Sequence, residues 1–257
     1  MKKYTKEHPL KLITLFSGYD SQALSMERLK ANFPPFDYEL VAWCEIEDAA
    51  IKAHDALFPQ WADRNAGDIT KVEADKLPNC NVITYSFPCQ AVSAAGHQRG
   101  LKKGSGTTSS LLWECERIIA AKKPYACLME NVAALVSSKF IKDFHEWLRV
   151  LDNLGYESFT QVLDSSKYGV PQHRERVFCV SILRTPDNLH PKYFFPRPFP
   201  LQKCLADVLE ENVDESYFLS DDMLARFCEK SVEEDYANCD ITSDEYAEDF
   251  ENLFVAG

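Results

Sequence analysis

Asn81-Val-Ile-Thr-Tyr-Ser-Phe-Pro-Cys-Gln90 is the stretch that decides the reading of this chain. Its first seven residues form an apolar run of strand length, and Pro88 ends ladder pairing because it has no N–H to donate. Cys89 follows at once, ahead of a loop in which Gly96, Gly100, Gly104 and Gly106 recur. A thiol just past the end of a strand sits at the carboxyl edge of a sheet, where open α/β proteins hold their ligands. There a substrate can reach it, and as a thiolate it is a strong nucleophile. The plain alternative is a small buried hydrophobe, the usual fate of an unpaired cysteine.

On either side of this strand the chain alternates short apolar runs with longer amphipathic ones. Strands are expected at residues 10–16, 38–44, 81–87, 126–130, 157–163 and 176–183, the last two paired with each other. Helices are expected at 22–31, 47–57, 109–122 and 139–154. Such alternation implies βαβ units, hence an α/β fold with a mostly parallel sheet and helices on both faces. Five prolines at 186–200, mixed with Tyr193, Phe194, Phe195 and Phe199, mark a boundary and predict an extended segment anchored on the body by its aromatics. Residues 1–205 are expected to be one domain and 206–257 an acidic tail with short helices near 205–209 and 221–228.

Composition narrows the class. In 257 residues there is no apolar run of membrane-spanning length and no apolar core of a signal peptide near the start. The nine cysteines are an odd, scattered set without a C-x-x-C pair, which fits reduced cytosolic thiols and predicts neither a disulfide framework nor a metal site. The formal charge of −12 is uneven: residues 207–257 hold 17 Asp/Glu against only Arg226 and Lys230. The remainder is slightly basic and could approach phosphates that the tail would repel.

Four further groups of residues carry chemistry. Phe16-Ser-Gly18 closes the first strand and opens a helix, a turn at which backbone can approach an anionic ligand. Glu45 ends the second strand, where an acid suits a ribose diol. Asp68, in Gly67-Asp-Ile-Thr70, could accept from an adenine amine or cap its own turn. Glu130, in Met129-Glu-Asn-Val132, emerges beside Cys89 if the two strands are parallel neighbours, and could hydrogen-bond or protonate a ring nitrogen. In Gln172-His-Arg174-Glu-Arg176 the two guanidinium groups fall on one side of an extended chain, which points to phosphate or carbonyl recognition or to a surface ion-pair set.

This ordered set resembles the DNA (cytosine-5) methyltransferases, over residues 10–205. The resemblance includes Phe195-Pro-Arg-Pro-Phe-Pro-Leu201, and Gly106-Thr-Thr-Ser-Ser-Leu-Leu-Trp-Glu114 as a cofactor-side motif. It implies a Rossmann-like methyltransferase fold and methyl transfer from S-adenosylmethionine to carbon 5 of a cytosine flipped out of double-stranded DNA. It assigns Cys89 as nucleophile, Glu130 to the ring nitrogen and exocyclic amine, Arg176 to the base carbonyl and Arg174 to support. Cofactor contacts are implied at Phe16, Gly18, Ser21, Glu45, Ile46, Asp68, Ile69, Phe87 and Pro88, and loop contacts to substrate at Gln90, Ser93 and Gln172. The tRNA-specific relatives share the same motifs, so tRNA is the second substrate reading. A third is an inactive or partner-dependent subunit of a split enzyme.

Departures from the pattern carry expectations of their own. Asp20 and Ser21 stand where the family has glycines; Ser21 could bond the methionine carboxylate, and Asp20 would repel it unless turned outward, weakening binding. Thr108 replaces a frequent arginine. The family's target-recognition region and two closing motifs are not found after Leu205. A longer reading frame, a second polypeptide that supplies them, or a decayed relative would each account for this. The missing closing helix is expected to leave an apolar patch beside the first strand. The setting implied is cytoplasmic, in a bacterium or encoded by a phage.

Overall fold

β1 (Leu10–Leu15) is buried along nearly its whole length, so it must be covered on both faces and lie inside a sheet. It pairs in parallel with β2 (Tyr38–Cys44) on one side and with β3 (Val82–Tyr85) on the other. β3 in turn pairs in parallel with β4 (Ala126–Val132). The last two strands, β5 (Tyr156–Asp164) and β6 (Glu175–Leu183), pair antiparallel, and β6 also runs antiparallel to β4. The six-stranded order is therefore β2-β1-β3-β4-β6-β5. The computed structural model describes residues 4–88 and 111–226. All six expected strands are present, with no end moved by more than two residues.

Helices α1 (Ser21–Asn32), α2 (Asp48–Leu57), α3 (Leu112–Lys122) and α4 (Ile141–Asn153) fill the crossovers. α4 shows why: Phe144, Trp147 and Leu151 recur at helical spacing and are the residues it buries. Together with Leu112, Ile118 and Ile119 of α3 they pack on Ile13, Leu15, Ile83, Tyr85, Cys127 and Met129, forming the larger core on one face of the sheet. The opposite face is covered differently. There α1, α2 and the 3-10 segment Pro59–Arg64 enclose Leu12, Leu40, Trp43, Phe58 and Trp61 over β1 and β2. Further along the same face Thr84, Leu128, Glu130 and Phe178 border an open cleft.

Contacts divide the chain into two units after Leu205. Within the first, residues 186–200 carry no regular secondary structure apart from a single bridge, Thr185 to Asn188 just at their start. Their aromatics hold them to the body: Tyr193 packs on Phe159, and Phe199 meets Tyr168 edge-on at 6.1 Å. In the second unit the described residues include a 3-10 turn at Glu215–Tyr217, capped by the Asp214 carboxylate, and helical residues 221–226.

The larger core turns on Trp147. It is fully buried, donates from Nε1 to the Tyr85 hydroxyl at 3.2 Å, and meets both Tyr85 and Trp113 edge-on at 5.9 Å. Trp147→Ala is expected to lower the free energy of unfolding by about 3–5 kcal/mol, read from the urea midpoint.

Candidate active site

At the carboxyl end of β1 the chain turns sharply through Phe16–Ser21 into α1. Gly18 has φ 57°, which suits glycine, and a Cβ there would meet nothing within 4 Å. Its N–H donates to Oε2 of Glu45 at 2.8 Å, while Oε1 accepts from the N–H groups of Ile46 and Glu47 at 2.8 and 2.9 Å. Three backbone donors thus occupy three of the four or so lone-pair sites of that carboxylate, and hold it at the tip of β2 with one site to spare. Asn65 ties the next segment to it. Its Oδ1 accepts from Glu45 N and Gly67 N, and its Nδ2 donates to Glu45 O.

Asp68 caps its own turn: Oδ1 accepts from both the N–H and the hydroxyl of Thr70, at 3.0 and 2.8 Å. Those bonds hold its carboxyl below the ordinary range, with Lys71 3.4 Å from Oδ2 adding to the effect. Arg117 of α3 fastens the rest of this loop by donating to the carbonyls of Ile69 and Val72 at 2.9 and 2.6 Å. Between these loops lies a cavity of about 290 Å³, lined by Phe16, Gly18, Glu45, Ile46, Asp68, Ile69, Pro88 and Leu111 among others. Cys44 is also in its wall; burial pushes this thiol up to about 12, so it is a packing group.

Phe16 and Ser86 are shared with a larger cleft of about 770 Å³. Its floor is the open sheet face described above, because Thr84, Leu128, Glu130, Phe178 and Arg176 all project to that side in the observed registers. Tyr19, Ser21, Gln22 and Met26 form one wall; Tyr168, Val170, Arg174 and Pro196 form the other. Within it the Arg176 guanidinium lies 3.1 Å from the Glu130 carboxylate, both side chains about a quarter exposed. Glu130 stands opposite Phe178 in the ladder, so Arg176 is its diagonal neighbour on the same face.

The segment that leads to Cys89 is stapled to this pair. Asn131, buried between Glu130 and Val132, donates from Nδ2 to the Phe87 carbonyl at 3.1 Å. Phe87 itself is buried in the larger core and does not line this cavity. Pro88 is in the wall. Cys89, Gln90, Ser93 and Thr108 lie outside the described residues. Asp20 is neither turned outward nor aimed at a ligand: its side chain is wholly buried under the turn.

The arm bearing the two arginines is shaped by Asp164 and Ser165. Ser165 N donates to Arg174 O at 3.1 Å, and the Ser165 hydroxyl donates to the Gln172 carbonyl. Asp164 accepts from Ser166 N and Arg174 N and pairs with His173 Nδ1 at 2.9 Å. Gly169, at φ 84°, lets the arm double back under Phe199, where any Cβ would come within 3.0 Å of the ring. Gln172 is exposed on the arm, outside the cleft lining.

The family profile of the C-5 cytosine-specific DNA methylases matches residues 10–252. The chain belongs to that family. Among similar proteins, the Type II methyltransferase M2.ScrFI of Lactococcus lactis subsp. cremoris is 34% identical over 281 residues, covering 90% of this chain and 75% of the relative. The Type II methyltransferase M.NlaX of Neisseria lactamica is 32% identical, with 87% and 67% covered. The solved S. pombe Dnmt2 methyltransferase superposes with a TM-score of 0.62 at 19% identity, covering 86% of this chain and 66% of that one, which is likeness of fold. Other curated relatives are matched over about half their length, 52% in one case.

The small cavity of this methylase fits the nucleoside part of S-adenosylmethionine. It offers carboxylates at Glu45 and Asp68, apolar faces at Phe16, Ile46 and Ile69, and open space over Gly18 and Gly67 where a side chain would intrude. Among the described residues no group of three His, Cys, Asp or Glu could hold a metal. No described helix is long and apolar enough to cross a membrane.

Sequence reasoning gave no role to Asn65, Arg117 or Asn131, which fasten the methylase's loops by bonding backbone groups distant in sequence. Asn131→Ala leaves the Phe87 carbonyl without this partner, and it is expected to cost about 1–3 kcal/mol of stability and a disproportionate share of methyl transfer. The comparison of urea midpoint with single-turnover rate checks this. Asp164 gives a pH prediction. Burial alone would raise its carboxyl, but the bonds from Ser166, His173 and Arg174 outweigh it and bring the pKa to about 2, from an ordinary 3.8. Its contribution to stability is therefore complete above 3.8 and lost as pH falls toward 2. Denaturation of Asp164→Asn across that window is expected to show a shallower loss of stability than the unaltered chain.

Proposed function

We propose that this chain methylates carbon 5 of cytosine in DNA, as the modification enzyme of a bacterial or phage-encoded restriction–modification system acting in the cytoplasm. The observation that carries the proposal is the Glu130–Arg176 pair, held 3.1 Å apart in a cleft that shares Phe16 and Ser86 with the smaller cavity. Cys89 is the next residue in sequence after Pro88, which lies in the cavity wall.

S-adenosylmethionine supplies an electrophilic methyl group on a sulfonium. Glu45 binds the ribose diol through its remaining lone pair, Asp68 the adenine amine through Oδ2, and Phe16 and Ile46 the adenine faces. Gly18, Ile69 and Pro88 complete that wall, and Ser21, in the larger cleft, meets the methionine end. The target base is turned out of the duplex into the larger cleft, at an unstacking cost of a few kcal/mol. There the Cys89 thiolate bonds to C6, and the C5–C6 π pair moves to C5. Glu130 holds N3 and the exocyclic amine while charge builds on the ring, and Arg176 holds the carbonyl. Carbon 5 would take the methyl group as its bond to the sulfonium breaks; the C5 proton would then pass to water, its bonding pair re-forming the C5–C6 double bond as the C6–sulfur bond breaks and the Cys89 thiolate leaves. Arg174, Gln90, Ser93 and Gln172 support the base and the strand around it.

The open sheet face favours a further element. Thr84 Oγ1 is buried there without a hydrogen-bond partner among the described residues, beside half-buried Leu128 and Phe178. An apolar segment with one polar contact, from a longer frame or from a second polypeptide, closes this side of the cleft and brings target recognition.

Incubation with 5-fluorocytosine duplex DNA and S-adenosylmethionine is expected to give a denaturation-stable adduct with the unaltered chain and none with Cys89→Ala. Glu130→Gln is expected to slow its formation about a hundredfold or more. Transfer of labelled methyl groups to tRNA and not to duplex DNA would overturn the substrate assignment.

A further inference from the structure

Three residues of the Phe16–Ser21 turn have positive φ: Phe16 at 57°, Gly18 at 57° and Asp20 at 67°. Glycine takes that region freely. A phenylalanine and an aspartate hold it only where surrounding contacts over-determine them. Asp20 supplies those contacts from a side chain that is completely buried. Its Oδ1 accepts from Ala23 N–H at 2.9 Å and caps α1. Its Oδ2 accepts from the Thr14 hydroxyl of β1 at 2.7 Å and lies 3.8 Å from Nε2 of His54, in the last turn of α2. Burial pushes the Asp20 carboxyl up, and the bonds from Thr14 and Ala23 and the nearby His54 oppose that.

His54 is as deeply buried as its neighbour. Its ring stacks on Trp43 with centroids 3.6 Å apart, and Nε2 has no hydrogen-bond partner among the described residues, so a small movement would turn the contact with Asp20 into a bond. The two residues close a circuit. Gly18 N–H binds Glu45, the chain runs from Glu45 into α2, α2 carries His54, and His54 meets Asp20, which stands two residues after Gly18. A shift of the turn therefore moves the Glu45 carboxylate as well.

We propose that Asp20 and His54 are positioning residues for the cofactor, their buried carboxylate–imidazole contact holding Gly18, Glu45 and Ser21 in place around the two cavities. The inference rests on the cofactor reading above and adds to it two residues that touch no ligand. A proton on both ring nitrogens gives Asp20 a counter-charge; its loss leaves a buried carboxylate with hydrogen bonds but no cation. Among the described residues the other titratable groups facing the pair are Asp55, with Oδ1 3.4 Å from His54 Nδ1, and the Tyr38 hydroxyl of β2, bonded to Glu27 of α1. Both of the acids are like Asp20 in sign, so neither can replace the imidazolium. The pH dependence of cofactor affinity therefore reads this contact.

The test is calorimetric titration of the full chain with S-adenosylhomocysteine across about pH 5 to 8. Asp20→Asn keeps the size, the capping oxygen and tolerance of positive φ, and removes the charge. It is expected to weaken binding about tenfold and to flatten the pH profile. His54→Phe, which preserves the stack on Trp43, is expected to do the same, and the double variant to be no weaker than either single one. Asp20→Gly, which relieves the backbone, should weaken binding too, because the anchors go with it. In the unaltered chain, ligand should shift the NMR signals of the His54 ring, a readout that decides the matter even if the variants do not fold. Equal affinity and an equal pH profile in Asp20→Asn and His54→Phe, or His54 ring signals unmoved by ligand, would overturn the proposal. A helix cap alone would lower the melting temperature of Asp20→Gly and leave the Asp20→Asn profile unchanged. Failure of the unaltered chain to bind at any pH would instead sink the cofactor reading itself.

Discussion

Strand direction is the constraint from which the site follows. Because β1, β2, β3 and β4 are parallel, their carboxyl ends deliver Phe16–Ser21, Glu45, Ser86–Pro88 and Glu130–Val132 to a single edge of the sheet. β6 runs the other way, so its amino end arrives at that same edge with Arg174 and Arg176. An antiparallel partner to β4 is thus not an irregularity. A parallel strand in that place would have put the two arginines at the far end, some 20 Å from Glu130 for a strand of ordinary length. The register does the finer work: Glu130 opposite Phe178 and Val132 opposite Arg176 put acid and guanidinium on one face.

An edge made of strand ends is also an edge of unsatisfied backbone groups. The chain meets that need with side chains whose second function is to fix loops. Glu45 takes three N–H groups, Asn65 serves Glu45 and Gly67, Arg117 takes two carbonyls, and Asn131 takes one. These count for more than the ion pairs on the exterior. Lys76–Glu73 is about 70% exposed on both sides, so water screens it and its contribution is within about 1 kcal/mol. Asn131 is buried, and an unpaired polar group in its place would carry the full desolvation cost.

The strands were legible in the sequence because β1, β2 and β3 are apolar runs, and because Pro88 and Gly18 punctuate them. Glu130 and the two arginines were legible as positions on strand ends. What stayed hidden has a common physical cause. The direction in which Asp20 points is decided by Thr14 and His54, the latter 34 positions away across a helix. Nothing in the neighbourhood of Asp20 in sequence distinguishes an inward carboxylate from an outward one. Arg117 and Asn131 act on carbonyls, which every residue has, so no residue type at the far end announces the contact. The burial of Phe87 was hidden for a related reason: strand alternation alone leaves open which of two apolar faces a terminal residue joins, and here the larger core takes it. The short 3-10 segments Ala74–Lys76 and Ala133–Val136 are below the length at which any period can be read.

The Glu130–Arg176 pair bears on how a base could enter. Each side chain is about a quarter exposed, so water reaches the pair and weakens its attraction far below that of a dry ion pair. A cytosine edge carries a donor for the carboxylate and an acceptor for the guanidinium, so its arrival exchanges one set of polar contacts for another. Such an exchange is close to neutral in free energy, and the few kcal/mol of unstacking a flipped base must come from elsewhere. The slightly basic first 206 residues can supply part of it through phosphates, and the proposed closure over the open face of β3, β4 and β6 would supply more by removing Leu128 and Phe178 from water. On this account the pair selects the base and does not drive it in. Affinity for DNA belongs to the surfaces around the cleft, and discrimination to two side chains that already hold each other at the right separation.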